Sequence, residues 1–138
     1  MSDADFAYLH PFHVVDGAFT PQELDQIESY CDSLPADDAA VYDAGGAGAR
    51  DGQVRITQTA WVKPEPEVMW LYRRMGQVVA HVNEQVYQFD LRDFSEPFQY
   101  TLYRGASGSH YDWHVDQGAL KQQRKLSMSV QLSDGGAY

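Results

Sequence analysis

The sequence predicts a single α+β domain in which helices lead and a meander of short strands follows. Three observations carry that expectation. Apolar residues recur at helical spacing in two stretches before residue 90, alternating apolar and polar runs dominate after it, and no repeat or linker interrupts the order. Helical runs followed by strand runs argue for an α+β or helix-decorated β architecture over a βαβ one. The chain has 138 residues, the size of one domain, with 43% hydrophobic and 13% aromatic residues. That is enough to bury roughly two thirds of the surface the unfolded chain exposes.

The first helix is announced by Phe19-Thr20-Pro21-Gln22-Glu23-Leu24. Thr20 suits the cap, Pro21 the first helical position, and Glu23 can bond back to the cap, while Phe19 and Leu24 form a hydrophobic staple. Leu24, Ile27, Cys31 and Leu34 then share one face until Pro35 stops the run. Cys31 reads as a core residue, since no basic neighbour would lower its pKa. Residues 44–52 hold four glycines without the Lys-Ser/Thr ending of a phosphate loop, and read as a surface loop.

From Gln53 the pattern alternates. Val54, Ile56, Ala60 and Val62 fall on one side and Arg55, Thr57, Thr59 and Trp61 on the other, which predicts a strand. Pro64 and Pro66 precede a second helix whose stripe is Val68, Leu71, Met75, Val78, Val79, Val82 and Val86. After Asp90 come Phe98, Tyr100 and Leu102 opposite Gln99, Thr101 and Tyr103, then a Gly-Ala-Ser-Gly turn at 105–108. The last run sets Leu126, Met128, Val130 and Leu132 against Ser127, Ser129 and Gln131, and predicts a strand with its apolar side on the helices. The second helix is expected to lie against the apolar face of the sheet that holds this strand.

Charge and cysteine usage narrow the function classes. Ten Lys and Arg against 20 Asp and Glu leave a net charge of -10, which repels phosphates and anionic lipid, so neither nucleic acid nor membrane is an expected partner. One cysteine cannot form an internal disulfide or a Cys-rich zinc site and fits a reducing compartment. The N-terminus lacks a basic-then-apolar leader, and no stretch approaches the roughly 20 apolar residues of a membrane span. The expectation is a cytoplasmic protein.

The chemistry-bearing stretch is Ser109-His110-Tyr111-Asp112-Trp113-His114-Val115-Asp116. In an extended strand, residues i and i+2 share a face roughly 6.6 Å apart, so His114 and Asp116 can lean toward one metal ion. Spacing by itself is a weak signal: five His and 20 acids in 138 residues give about 0.7 such pairs by chance, and His110 with Asp112 is a second.

Context adds to the second pair. Tyr103, a Gly-bearing turn, Tyr111, His114-Val115-Asp116, then Arg124-Lys125-Leu126-Ser127 leading to Gln131-Leu132-Ser133-Asp134 resemble the 2-oxoglutarate- and Fe(II)-dependent oxygenases of the prolyl 4-hydroxylase-like family. The resemblance runs from Phe98 to the end, with a less specific likeness over Phe12 to Leu24 and Trp61 to Val86. It implies a double-stranded β-helix, jelly-roll-like, with N-terminal helices on the major sheet. Residues 1–90 would be the helical lead-in and first strands and 91–138 the start of the metal-binding β-core. His114 and Asp116 match the family's His-x-Asp, two ligands of a 2-His-1-carboxylate iron site. Tyr103 matches a tyrosine lining the cosubstrate pocket, and Gln131 falls near the distal carboxylate of 2-oxoglutarate.

The implied activity is hydroxylation of a C–H bond in a peptidyl, prolyl-like, or small-molecule substrate, with 2-oxoglutarate converted to succinate. Fe(II), 2-oxoglutarate and O2 are the implied cofactor and cosubstrates, and ascorbate an optional reductant. The family pattern continues through a Gly-Gly turn and further strands to a distal His and then an Arg or Lys, and neither can be assigned here, since no His follows His114 and the chain stops at Gly135-Gly136-Ala137-Tyr138. The chain is therefore expected to be a C-terminally truncated domain, inactive alone, unless His10, His13, His81 or His110 supplies a third ligand. Two alternatives stand beside the enzyme: a non-catalytic binding module with the same fold, and a cupin-like metal protein using His110 and His114.

Overall fold

The computed structural model describes residues 12–35, 37–38, 58–103 and 124–134. Helix α1 spans Pro21–Asp32, strand β1 Asp37–Asp38, strand β2 Gln58–Val62, helix α2 Met69–Val82 and strand β3 Phe98–Leu102. The three strands form one antiparallel sheet in the order β1-β2-β3. The Gly-rich stretch 44–52, the start of the alternating run at 53–57 and the turn at 105–108 lie outside the described residues.

Helix α1 begins with the reciprocal cap its sequence predicts. The Glu23 backbone N–H donates to Thr20 Oγ1 at 3.2 Å, and the Thr20 N–H donates to Glu23 Oε2 at 2.8 Å. Two of the donors that a helix start leaves unpaired are thereby satisfied. Phe19, Ile27 and Cys31 are buried on the inner side, where Leu24 and Leu34 pack partly buried against them.

Helix α2 presents Leu71 and Met75 to that core, with Val68 just before its first turn. The remaining stripe residues, Val78, Val79, Val82 and Val86, are half-buried. The last turn widens into a π-helical turn at Asn83–Tyr87. It ends where Gln88 adopts a left-handed conformation (φ 57°) and Asn83 clasps Phe89, accepting from its N–H at 3.0 Å and donating to its carbonyl at 2.9 Å. An amide side chain offering both donor and acceptor closes the helix end as a backbone turn would.

The sheet offers one apolar face to the helices. Ala60 pairs with Tyr100 and Val62 with Phe98; Val62, Phe98 and Tyr100 join the core on that face. Two phenols fasten it. The Tyr72 hydroxyl donates to the Val62 carbonyl at 2.6 Å and accepts from the Phe98 N–H at 3.1 Å, while its ring stacks on Phe98 with centroids 4.1 Å apart. The Tyr100 hydroxyl donates to Asp32 Oδ1 at 3.0 Å. Thus α2 is tied to both long strands and α1 to β3.

The segment 124–134 departs from its expectation. It carries no regular element, Met128 and Val130 are 36% and 38% exposed, and Leu132 is its residue packed against the core. Alternation alone does not fix a regular strand, and residues 128–133 line a cleft with β3. The second helix accordingly packs on β2 and β3, not on a sheet holding Leu126 to Leu132. The segment is anchored at its start by an ion pair from Arg124 to Glu96 and by Lys125 Nζ 5.9 Å from the Phe89 ring centroid.

One ion pair joins the two helices. Arg74 donates to Glu23 Oε1 at 2.7 Å and to the Ala18 carbonyl at 2.9 Å. The Thr20 N–H bond, and then the Arg74 charge and hydrogen bond, hold the Glu23 carboxyl below its ordinary value of 4.5 against the opposing effect of desolvation. A depressed folded pKa gives stability that is present above 4.5 and lost as pH falls through the folded value. Glu23→Gln is therefore expected to flatten the decline of the thermal midpoint on acidification below 4.5, measured by circular dichroism against the parent chain. An unchanged decline would show that the pair does not contribute.

Candidate functional site

The described residues leave an open cleft of about 560 Å³ beside the outer edge of β3. One wall is β3 together with Tyr103, and the other is the segment from Met128 to Ser133. Its floor is the helix-facing core, where Ile27, Cys31, Leu71 and Met75 meet the opening. The cleft lies where β3 and the segment 128–133 both approach that core.

Two of the four residues singled out from the sequence line this cleft. Tyr103 follows β3 directly and is 40% exposed. Gln131 stands on the opposite wall, its amide donating to Ser133 Oγ at 3.0 Å and to the Ser133 carbonyl at 3.4 Å. His114, Asp116 and the competing His110 lie outside the described residues, between the Tyr103 and Arg124 ends. His13 and His81, two of the upstream alternatives for a third ligand, are exposed, one before α1 and the other near the end of α2. Among the described residues, no group of three His, Cys, Asp or Glu side chains is placed to hold a metal ion.

Among the described residues that line the cleft, Glu28 is the charged side chain, and no Lys, Arg or His is among them. A dicarboxylate resting on these walls alone would meet like charge without a cationic partner. The Cys31 thiol is 3% exposed, and burial first, then the charges of Asp32 and Glu28, push its pKa up to about 11. It remains protonated and serves as floor, in keeping with its place in the helical stripe. Burial, and then the bond to Asp32, raise the pKa of the Tyr100 phenol too, so it stays a neutral donor.

Sequence reasoning did not point to Glu28, Tyr72 or Tyr100 as organisers of this region. Glu28 gives no signal because a solvent-side acid on a helix is commonplace, and its role depends on where β3 ends up. The Tyr72 hydroxyl is aimed at the Val62–Phe98 pair by helix rotation, which periodicity alone does not specify.

No family model, no curated protein and no solved structure matches the chain.

Among the described residues, no helix is long and apolar enough to cross a membrane.

Proposed function

We propose that the chain carries the first part of an Fe(II)- and 2-oxoglutarate-dependent oxygenase site, in which His114 and Asp116 hold the metal and the β3 cleft receives the organic ligands. The supporting observation is that Tyr103 and Gln131, chosen from sequence on opposite sides of the His114-Val115-Asp116 motif, line one cleft. Imidazole and carboxylate form a donor set suited to ferrous iron. When bound, Fe(II) with O2 supplies the coupling of 2-oxoglutarate decarboxylation, giving succinate and carbon dioxide, to hydroxylation of a substrate C–H bond.

The chain's own residues have simpler tasks. His114 offers a neutral nitrogen and Asp116 a charged oxygen, Tyr103 presents a phenol to the cosubstrate, and the buried floor from Ile27 to Met75 keeps water from one side of the cleft. The substrate is a peptidyl, prolyl-like, or small-molecule one, and a reducing, cytoplasmic setting suits both the ferrous state and the free Cys31. The absence of a cation among the described lining residues favours one second reading, a non-catalytic module that keeps the cleft without binding 2-oxoglutarate.

Paramagnetic broadening tests the placement. Substoichiometric Mn(II), added with excess Mg(II) to occupy the diffuse acidic surface, is expected to broaden the amide resonances of Tyr103 and Gln131 well before those of Thr20 or Val79. Broadening centred on His13 or His81, or spread evenly over the chain, would remove this reading.

A further inference from the structure

A second groove, of about 440 Å³, lies between the C-terminal half of α1 and the start of α2, away from β3. Its floor is apolar, formed by buried Ile27, Val68 and Leu71. Two half-buried aromatic residues, Tyr30 and Trp70, border it, and the exposed Glu67 stands at its rim. Among the described residues, no Lys or Arg lines it; the cations nearest along the chain, Arg73 two positions past Leu71 and Lys63 four before Glu67, are exposed and outside it.

We propose that this groove binds an arginine or lysine side chain of a basic peptide. An aliphatic stem can lie on the apolar floor while the cationic head meets the aromatic faces and the carboxylate at the rim, so one groove satisfies both halves of such a side chain. Guanidinium fits better than ammonium because it is planar and more weakly hydrated. Glu65 lies in the same field: burial raises the pKa of the Tyr30 phenol, and the nearby charges of Glu65 and Glu67 raise it further. These acids also suit the start of α2, where the helix dipole favours negative charge. That role accounts for their charge but not for an aromatic-walled groove that, among the described residues, no cation lines. The chain's net charge of -10 steers a basic peptide toward it.

The probe is a short glycine-flanked peptide with one arginine, compared with the same peptide carrying citrulline, its neutral isostere. In a titration of isotope-labelled chain at 0.15 M salt, the arginine peptide is expected to shift the amides of Tyr30, Glu67 and Trp70, and the citrulline peptide to leave them in place. Glu65→Gln with Glu67→Gln is expected to weaken the arginine peptide by roughly fivefold. Asp16→Asn with Glu84→Gln removes the same charge elsewhere and is expected to change affinity by less than about twofold. Equal loss in the two double variants, equal binding of the citrulline peptide, or shifts confined to other surfaces would overturn the proposal. None of these outcomes bears on the oxygenase reading, which rests on the other cleft.

Discussion

Replacing His114 or Asp116 with alanine is expected to reduce the affinity of the chain for Mn(II) by tenfold or more, while His110→Ala leaves it within about twofold. Under the proposed reading, each of the first two substitutions removes a direct ligand from a site that has few. The charge of Asp116 and the neutral nitrogen of His114 are not interchangeable, so neither loss is compensated by the other. Isothermal titration with Mn(II) separates the alternatives. Equal damage from His110→Ala would transfer the assignment to the His110 and His114 pair of a cupin-like protein. The same ligand arithmetic sets an expectation for turnover. No His follows His114 in the sequence, and no cation lines the described cleft, so residues 1–138 with Fe(II), ascorbate and O2 are expected to form succinate only at the buffer level. Robust succinate formation would show that an upstream His completes the site.

Leu71→Ala is expected to destabilise the fold by about 2–5 kcal/mol, through lost transfer energy and the cavity left behind. Leu71 is 6% exposed and belongs to the cluster in which α2 meets α1, Val62 and Phe98. It also borders both grooves, so its removal joins two openings through the centre of the core. Against a total stability of about 5–15 kcal/mol this is a large share, corresponding to a thermal midpoint lower by roughly 10–20 °C. Truncation of the half-buried Val79 on the same helix is expected to cost about 1 kcal/mol or less. Urea denaturation of the two variants gives the comparison, and similar costs for both would show that α2 does not pack on the sheet through the Leu71 face.

Much of the helical part was legible in the sequence, because its determinants are local. Thr20, Pro21 and Glu23 form the predicted cap within one turn, and the spacing of Ile27, Cys31, Leu71 and Met75 puts each of them on the buried side. The alternation of Phe98 to Leu102 likewise gives the register of its faces, since side chains on a strand must alternate whatever the partner. The candidate ligands were legible as residue types at a spacing, and Tyr103 and Gln131 as flanking polar groups.

What only the tertiary structure decided is non-local. That Phe98 to Leu102 pairs with Gln58 to Val62, and that Tyr72 bridges the end of that ladder, depends on strands 36 or more positions apart and on a helix residue 26 positions from Phe98. Periodicity carries no information about such a partner. The run from Leu126 to Leu132 shows the converse: it has the alternation of a strand, yet Met128 and Val130 stand exposed across a cleft from β3. A strand's regularity is set by a partner elsewhere in the chain, whereas a helix satisfies its backbone groups within itself. For that reason the amino-acid sequence by itself determined the two helices, the cap of α1 and the alternation along β2 and β3, and the tertiary structure alone decided how those strands pair and placed Tyr103 and Gln131 on one cleft.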